Sequence, residues 1–238
     1  MEKTVYRAIV FIYLQFKKFL IRNFKRCSIY FVLKKNIPLS NFYGIDRGKP
    51  VDRYYIEKFL QANAYHIRGR CLELLNNDYV FGFSKNKKII SDVLDIDKSN
   101  KQANIVGDLR NLSTVFDNTY DCIILTQVLQ FIDNYNAAIA ECYRILKPGG
   151  ALLATVPALS RIDCVAGVES DFWRFTKAGA QHAFQQVFES NKLEVQAWGN
   201  VKTGLAFWVG MAQEDLKTND FTYNDPNFPC LITVKAIK

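Results

Sequence analysis

Acidic and amide side chains recur in this sequence where short apolar segments stop. Glu73 lies in Arg70-Cys71-Leu72-Glu73-Leu74-Leu75, which closes on Asn76-Asn77-Asp78. Asp92 precedes Val93-Leu94, with Asp95 and Asp97 just beyond, and Asp108 follows Val106-Gly107. Thr126-Gln127 follows Tyr120-Asp121-Cys122-Ile123-Ile124-Leu125. If these segments are parallel strands, their carboxyl ends share one edge of a sheet, and ligands of such sheets sit outside that edge. A row of acids is unsuited to phosphate, which prefers glycine-rich backbone nests, cations and helix N-termini. It suits a ligand with hydroxyls, an amino group and positive charge. One carboxylate accepts two ribose hydroxyls, and another accepts from an adenine amine or an ammonium.

Other chemistries lack their residues. The sequence contains neither a GxxxxGKS phosphate loop nor a Ser/His/Asp arrangement. Its cysteines, at 27, 71, 122, 142, 164 and 230, form no CxxC pair and no Cys/His cluster, which disfavours zinc ligation and a disulfide framework. Apolar-flanked thiols such as Cys71 and Cys122 read as core residues in a reducing compartment. His66, Asp133, Asp171 and His182 are the available proton acceptors, and spacing selects none of them.

The elements that must position the acids follow from periodicity. Strands are expected at 70–75, 88–94, 103–106, 120–125, 151–156, 193–197 and 231–236; the segment at 120–125 is almost continuously apolar, as a strand buried on both faces should be. Helical spacing marks 51–67, with Asp52 as a candidate N-cap, and 136–147, stopped by Lys147-Pro148-Gly149-Gly150. Further helices are expected from the Thr176 cap to about Phe188 and over 203–216. Alternation of this kind implies an α/β fold: a Rossmann-like, doubly wound, mostly parallel seven-stranded sheet with helices on both faces.

This order of segments resembles the class I S-adenosylmethionine-dependent methyltransferases, in particular the small enzymes found with polysaccharide-biosynthesis proteins. The resemblance covers roughly Gly44 to Lys238. It rests on Arg68-Gly69-Arg70-Cys71-Leu72-Glu73, Asp92-Val93-Leu94, Val106-Gly107-Asp108-Leu109, Tyr120 to Gln127, Arg144 to Gly150 and Asp171-Phe172-Trp173-Arg174-Phe175-Thr176. It implies S-adenosylmethionine as cofactor and a small-molecule or glycan-precursor acceptor. By the same resemblance Glu73 lies beside the methionine end, Asp92 holds the ribose hydroxyls, Asp108 and Leu109 meet the adenine, and Thr126 and Gln127 floor the sulfonium. One position departs from the family. The family places glycine two residues beyond the first acid, where this sequence has Leu75. Asn76 and Asn77 are expected to supply left-handed turns there, without removing the Leu75 side chain. The alternative to an active enzyme is therefore a non-catalytic descendant of the fold, serving as a binding or scaffold subunit.

Charge divides the chain in two. Residues 1–36 hold nine Lys and Arg against Glu2 alone, a surplus of eight that equals the net charge of the whole 238-residue chain, so the remaining 202 residues are neutral. A neutral body disfavours nucleic acid as a partner, because reading a groove requires a cationic surplus on the domain itself. The expected organisation is a basic extension over 1–40 and one α/β domain over 41–238. On a helix, Ile9, Ile12, Tyr13, Phe16, Phe19, Leu20 and Phe24 share one face and Arg7, Lys18, Arg22 and Lys25 the opposite one, with Phe11 and Leu14 off pattern. Such a helix either lies on an anionic membrane surface or a partner, or packs on the domain. The expected location is cytoplasmic, peripheral to a membrane.

Overall fold

A computed structural model describes residues 11–20, 36–85 and 88–238. The seven strands are β1 (Arg70–Leu74), β2 (Ile90–Asp95), β3 (Ile105–Val106), β4 (Tyr120–Thr126), β5 (Leu146–Pro157), β6 (Leu193–Trp198) and β7 (Leu231–Ile237). They form one sheet in the order β3-β2-β1-β4-β5-β7-β6. The pairs from β3 through β5 are parallel, and β7 inserts antiparallel between β5 and β6. Strand order reverses between β1 and β4, which opens a crevice at their carboxyl ends.

The helices are α1 (residues 11–20), α2 (Val51–Ala62), α3 (Asp78–Phe83), α4 (Tyr135–Ile145), α5 (Lys177–Gln185) and α6 (Val201–Trp208). Strand alternation sorts the core into two layers. Leu72, Ile123, Leu125, Leu152 and Ala154 pack with α4 and α5, while Cys71, Cys122, Ile124 and Leu153 pack with α2 and α6. On α2, Val51, Tyr55, Ile56, Phe59 and Leu60 form the buried stripe. Caps set the other starts: Asn134 accepts from Ala137 N–H at 3.1 Å, and Thr176 accepts from Gly179 N–H at 3.0 Å.

Several expected boundaries move, and one helix is added. The Lys147-Pro148-Gly149-Gly150 segment belongs to β5, which starts directly after α4 at Leu146, opposite Tyr120. The helix expected over 203–216 ends at Trp208, because the left-handed Gly210 turns the chain where a Cβ would lie 2.5 Å from the Ser40 carbonyl oxygen. Between β1 and β2 stands α3, six residues long and too short to show a helical period. On α1, Phe11, Ile12, Tyr13, Phe16 and Phe19 are more than half exposed, so this segment is not packed into the core. No helix among the described residues is long and apolar enough to cross a membrane. Cys27 and the flanks of α1 lie outside the described residues, and the other five cysteines are free thiols.

Glu73 ties the first strand to the short helix. It is buried, and its two carboxylate oxygens accept from Tyr79 N–H at 3.2 Å and Val80 N–H at 2.8 Å in the first turn of α3. Burial pushes its pKa from an ordinary 4.5 up to about 7, against the opposing pull of the two N–H groups. Between those values the folded chain holds a proton that the unfolded chain has released. The contribution of Glu73 to stability is therefore largest below pH 4.5 and is lost as pH rises towards 7. Urea unfolding of wild type and Glu73→Gln across this range should show a stability difference that changes with pH; a constant offset would refute the assignment.

Candidate active site

The turn leaving β1 sets the geometry of the crevice. Leu75 has φ +69°, Leu75 N–H donates to Leu94 O at 3.0 Å, and Asn100 Nδ2 donates to Leu75 O at 2.7 Å. The left-handed residue is thus Leu75 itself, whereas Asn76 and Asn77 keep negative φ, contrary to the expectation from sequence. The backbone holds the bend a glycine would adopt, at a cost of about 1–2 kcal/mol for a side-chain-bearing residue. The Leu75 side chain is 58% exposed and lines a cavity of about 250 Å³.

Asp92 is not at this edge. It sits in mid-strand opposite Leu72, buried, where it accepts from Arg70 Nε at 2.6 Å and Asn104 Nδ2 at 2.7 Å. Burial raises its pKa, but the hydrogen bonds and charge of its partners outweigh this and hold the carboxyl below the usual range. Asp95 closes β2 at the carboxyl edge instead. Its Oδ1 accepts from Asp97 N–H at 2.9 Å and its Oδ2 from the same Asn100 Nδ2 that holds Leu75, at 2.7 Å. Ile96, the next residue, is 72% exposed and offers an apolar face beside that carboxylate.

Asp108 follows β3, and its carboxylate is clamped by Arg110, whose Nη2 lies 2.5 Å away and whose Nη1 reaches Asp133 at 2.5 Å. These contacts hold the Asp108 carboxyl below its ordinary pKa. Leu109 packs into the core with 4% exposure, so its side chain is not presented to the crevice. Thr126 and Gln127 line the cavity with Leu75, and Gln127 N–H donates to Thr155 O at 2.9 Å. The expected neighbours are therefore divided: Thr126 and Gln127 meet at the cavity, Asp108 stands on the adjacent edge, Glu73 lies beneath α3, and Asp92 and Leu109 face elsewhere.

The cavity also collects residues that sequence reading missed. Tyr43, Asp52, Arg53, Gln130, Ser160 and Asp163 line it. Tyr43 is brought there by its stacking on Phe207, with ring centroids 5.6 Å apart, and by Arg47, buried in a bidentate pair with Asp215 at 2.9 and 3.0 Å. Asp52 does not cap α2. Pro50 occupies the N-cap, and Asp52 turns inward as the second helical residue. Three of the four non-glycine residues with left-handed backbone among the described residues, Tyr43, Leu75 and Gln127, line this one cavity. Such strain gathers where surrounding structure over-determines a functional constellation.

Trp173, Arg174 and Phe175 act elsewhere. Arg174 pairs with Asp171 and donates to the carbonyl oxygens of Ser160 and Arg161, holding the loop after β5, and Phe175 joins the core. His182 is exposed on α5. Among the described residues no His, Cys, Asp and Glu group is arranged to hold a metal ion.

The donor set fits S-adenosylmethionine. Carboxylates stand at the ends of β2 and β3, an exposed apolar side chain follows Asp95, and the β1 turn already has the required backbone bend. The Leu75 side chain stands in the lining at the position where the resembled family has glycine.

Comparison with known proteins agrees with this geometry. Residues 69–154 match the family described as a methyltransferase domain. A putative sarcosine dimethylglycine methyltransferase from Galdieria sulphuraria superposes with a TM-score of 0.55 at 13% identity, over 88% of this chain and 97% of that one. A SAM-dependent methyltransferase from Archaeoglobus fulgidus gives 0.53 at 12% identity, over 78% and 94%. The putative methyltransferase in complex with the Trm112 activator of Haloferax volcanii gives 0.51 at 20% identity, over 78% and 90%. At these identities the likeness is one of fold. Among curated proteins, a stretch of 94 residues is 31% identical to probable polyketide synthase 10 of Dictyostelium discoideum, covering 39% of this chain and only 3% of that protein. The family match runs from β1 into β5, across the strands whose carboxyl ends border the crevice, and the fold around it is that of the S-adenosylmethionine-dependent methyltransferases.

Proposed function

We propose that the protein transfers a methyl group from S-adenosylmethionine to a nucleophilic oxygen or nitrogen of a small molecule or glycan precursor. The observation that carries this reading is the convergence of Leu75, Thr126 and Gln127 on one cavity at the strand-order reversal, with Asp95 joined to Leu75 through the Asn100 amide. The bound cofactor supplies an electrophilic methyl group on a sulfonium. Asp95 accepts the ribose hydroxyls, Ile96 covers one face of the adenine, and Asp108 stands on the side of the adenine amine. Glu73 holds the first turn of α3 against β1 beside the methionine end, and Thr126 and Gln127 form the floor. The chain's contribution is alignment and exclusion of water, because the departing sulfide needs no proton.

S-adenosylhomocysteine at a hundred times its Kd should stabilise the protein by about 2.7 kcal/mol, a rise in Tm of roughly 5–10 °C. Asp95→Ala should abolish the ligand-induced shift. Asp92→Ala should keep the shift while lowering the ligand-free stability by about 1–3 kcal/mol, since Arg70 and Asn104 lose their acceptor. Loss of the shift in Asp92→Ala alone would reverse the assignment.

Leu75 favours a second reading, a cofactor-free scaffold on the same fold. Moving its side chain off its preferred rotamer costs about 0.5–1.5 kcal/mol, so Leu75→Gly should tighten S-adenosylhomocysteine roughly two- to tenfold by calorimetry. No binding by either form would favour the scaffold.

We also infer that the basic extension contacts an anionic membrane surface. The exposed apolar residues of α1 and the cationic surplus of residues 1–36 support this. Deleting residues 1–36 should weaken sedimentation with phosphatidylserine vesicles and leave cofactor binding intact; equal sedimentation would reduce the extension to a packing element.

A further inference from the structure

Two side chains in the cavity are more than nine-tenths buried and each carries an oxygen with no hydrogen-bond partner: Asp52, 4% exposed, and Gln130, 5% exposed. The Gln130 amide is oriented by its Nε2, which donates to Gln127 O at 2.9 Å and leaves Oε1 unpartnered. The Asp52 Oδ2 lies 3.6 Å from Arg53 Nη1, beyond direct hydrogen-bond range, and Oδ1 has no partner. Buried acceptors without donors cost about 1–3 kcal/mol each, more when charged. The native chain keeps two of them in one small space.

Their chemistry is one-sided. Every unpartnered buried polar atom on the described lining is an acceptor, and the charged lining residues are Asp52, Asp163 and Arg53, a net charge of minus one. Asp163 is satisfied, accepting from the Val165 and Ala166 N–H groups at 2.7 and 2.9 Å. An anionic ligand could meet the Arg53 guanidinium, but it would bring no donor to either unpartnered oxygen and would be repelled by Asp52 and Asp163. A hydroxyl brings one donor but leaves the charge of the site unbalanced. An ammonium brings three donors, no acceptor and one positive charge.

We infer that Asp52 and Gln130 form an ammonium-binding subsite of this cavity. The inference rests on the cavity being the methyl-transfer site in one respect only, the origin of the ammonium. It belongs either to the aminoacyl end of the methyl donor or to an amine on the acceptor. Burial holds the Asp52 carboxyl above its ordinary pKa against the opposing pull of the Arg53 charge and of nearby backbone N–H groups.

Binding of three probes to wild type, Asp52→Asn and Gln130→Leu separates the cases: S-adenosylhomocysteine, 5′-methylthioadenosine, which lacks the aminoacyl end, and glucosamine with glucose as its control. A charge-assisted hydrogen bond is worth about tenfold or more in affinity. If the donor supplies the ammonium, Asp52→Asn weakens S-adenosylhomocysteine by at least that factor and leaves 5′-methylthioadenosine unchanged. If the acceptor supplies it, both nucleosides keep their affinity while glucosamine, but not glucose, stabilises wild type and loses its effect in the variant. Gln130→Leu should move the same probe in the same direction, and it carries the test should Asp52→Asn fail to fold. Equal weakening of both nucleosides, or no selective change with any probe, overturns the subsite. Should wild type bind neither nucleoside, the cofactor reading fails and the glucosamine arm alone decides the subsite, with silence there overturning it as well.

Discussion

Ile123 and Leu125 pack into one core layer while Cys122 and Ile124 pack into the other, so β4 has no solvent-facing side along its middle. The same two-sided burial governs Cys71 and Leu72 on β1 and Leu152 and Leu153 on β5. Strands of this kind cannot carry an unpaired polar group in their interior without a cost of several kcal/mol. Polar chemistry is pushed to their ends, and reversal of strand order between β1 and β4 opens only one of those ends into a crevice. Asp92 marks the exception that follows the rule. Lying in mid-strand, it is tolerated because Arg70 and Asn104 donate to both of its oxygens.

The crevice is also where backbone freedom is surrendered. Leu75 remains left-handed because its N–H is held by the Leu94 carbonyl and its own carbonyl by Asn100, so the ladder and the loop after β2 fix the bend whatever side chain it bears. Asn100 bonds Asp95 as well, which couples the β1 turn to the acid at the end of β2 through one amide. Gln127 is held in its left-handed conformation by its bond to Thr155 of β5. Neighbouring strands thus impose conformations that local preference opposes. Strain of about 1–3 kcal/mol per residue is carried at the cavity by the packing of the two core layers.

Much of this was legible in the sequence. The continuously apolar β4, the Thr176 cap and the alternation of strands and helices arise from short-range patterns, and the folded chain keeps them. Asp92 falls in mid-strand and not at the strand end for a local cause: Val93 and Leu94 continue the strand past it, and the partners that claim it come from β1 and from the turn before β3. Asp52 precedes an apolar stripe, which is the sequence pattern of a cap. Pro50 takes the N-cap two positions before Asp52, and this places Asp52 inside the first turn, facing inward. Lys147-Pro148-Gly149-Gly150 has the composition of a stop, yet pairing with Tyr120 and Lys238 draws it into the sheet. Each miss concerns a residue whose role is set by a distant segment.

Leu75 is the residue on which an active and an inactive site differ, and magnitudes separate the two. A cofactor bound at micromolar affinity releases about 8 kcal/mol. Forcing one leucine side chain off its preferred rotamer takes about 0.5–1.5 kcal/mol of this. The backbone bend itself exacts no further cost, since it is already present in the folded chain. Leucine at this position therefore lowers affinity by roughly two- to tenfold and leaves most of the binding free energy in place. Abolishing binding would require losses at several positions, and Thr126 and Gln127 still line the cavity while Asp95 closes β2. On these magnitudes the Leu75 side chain alone is too small a cost to abolish such a site.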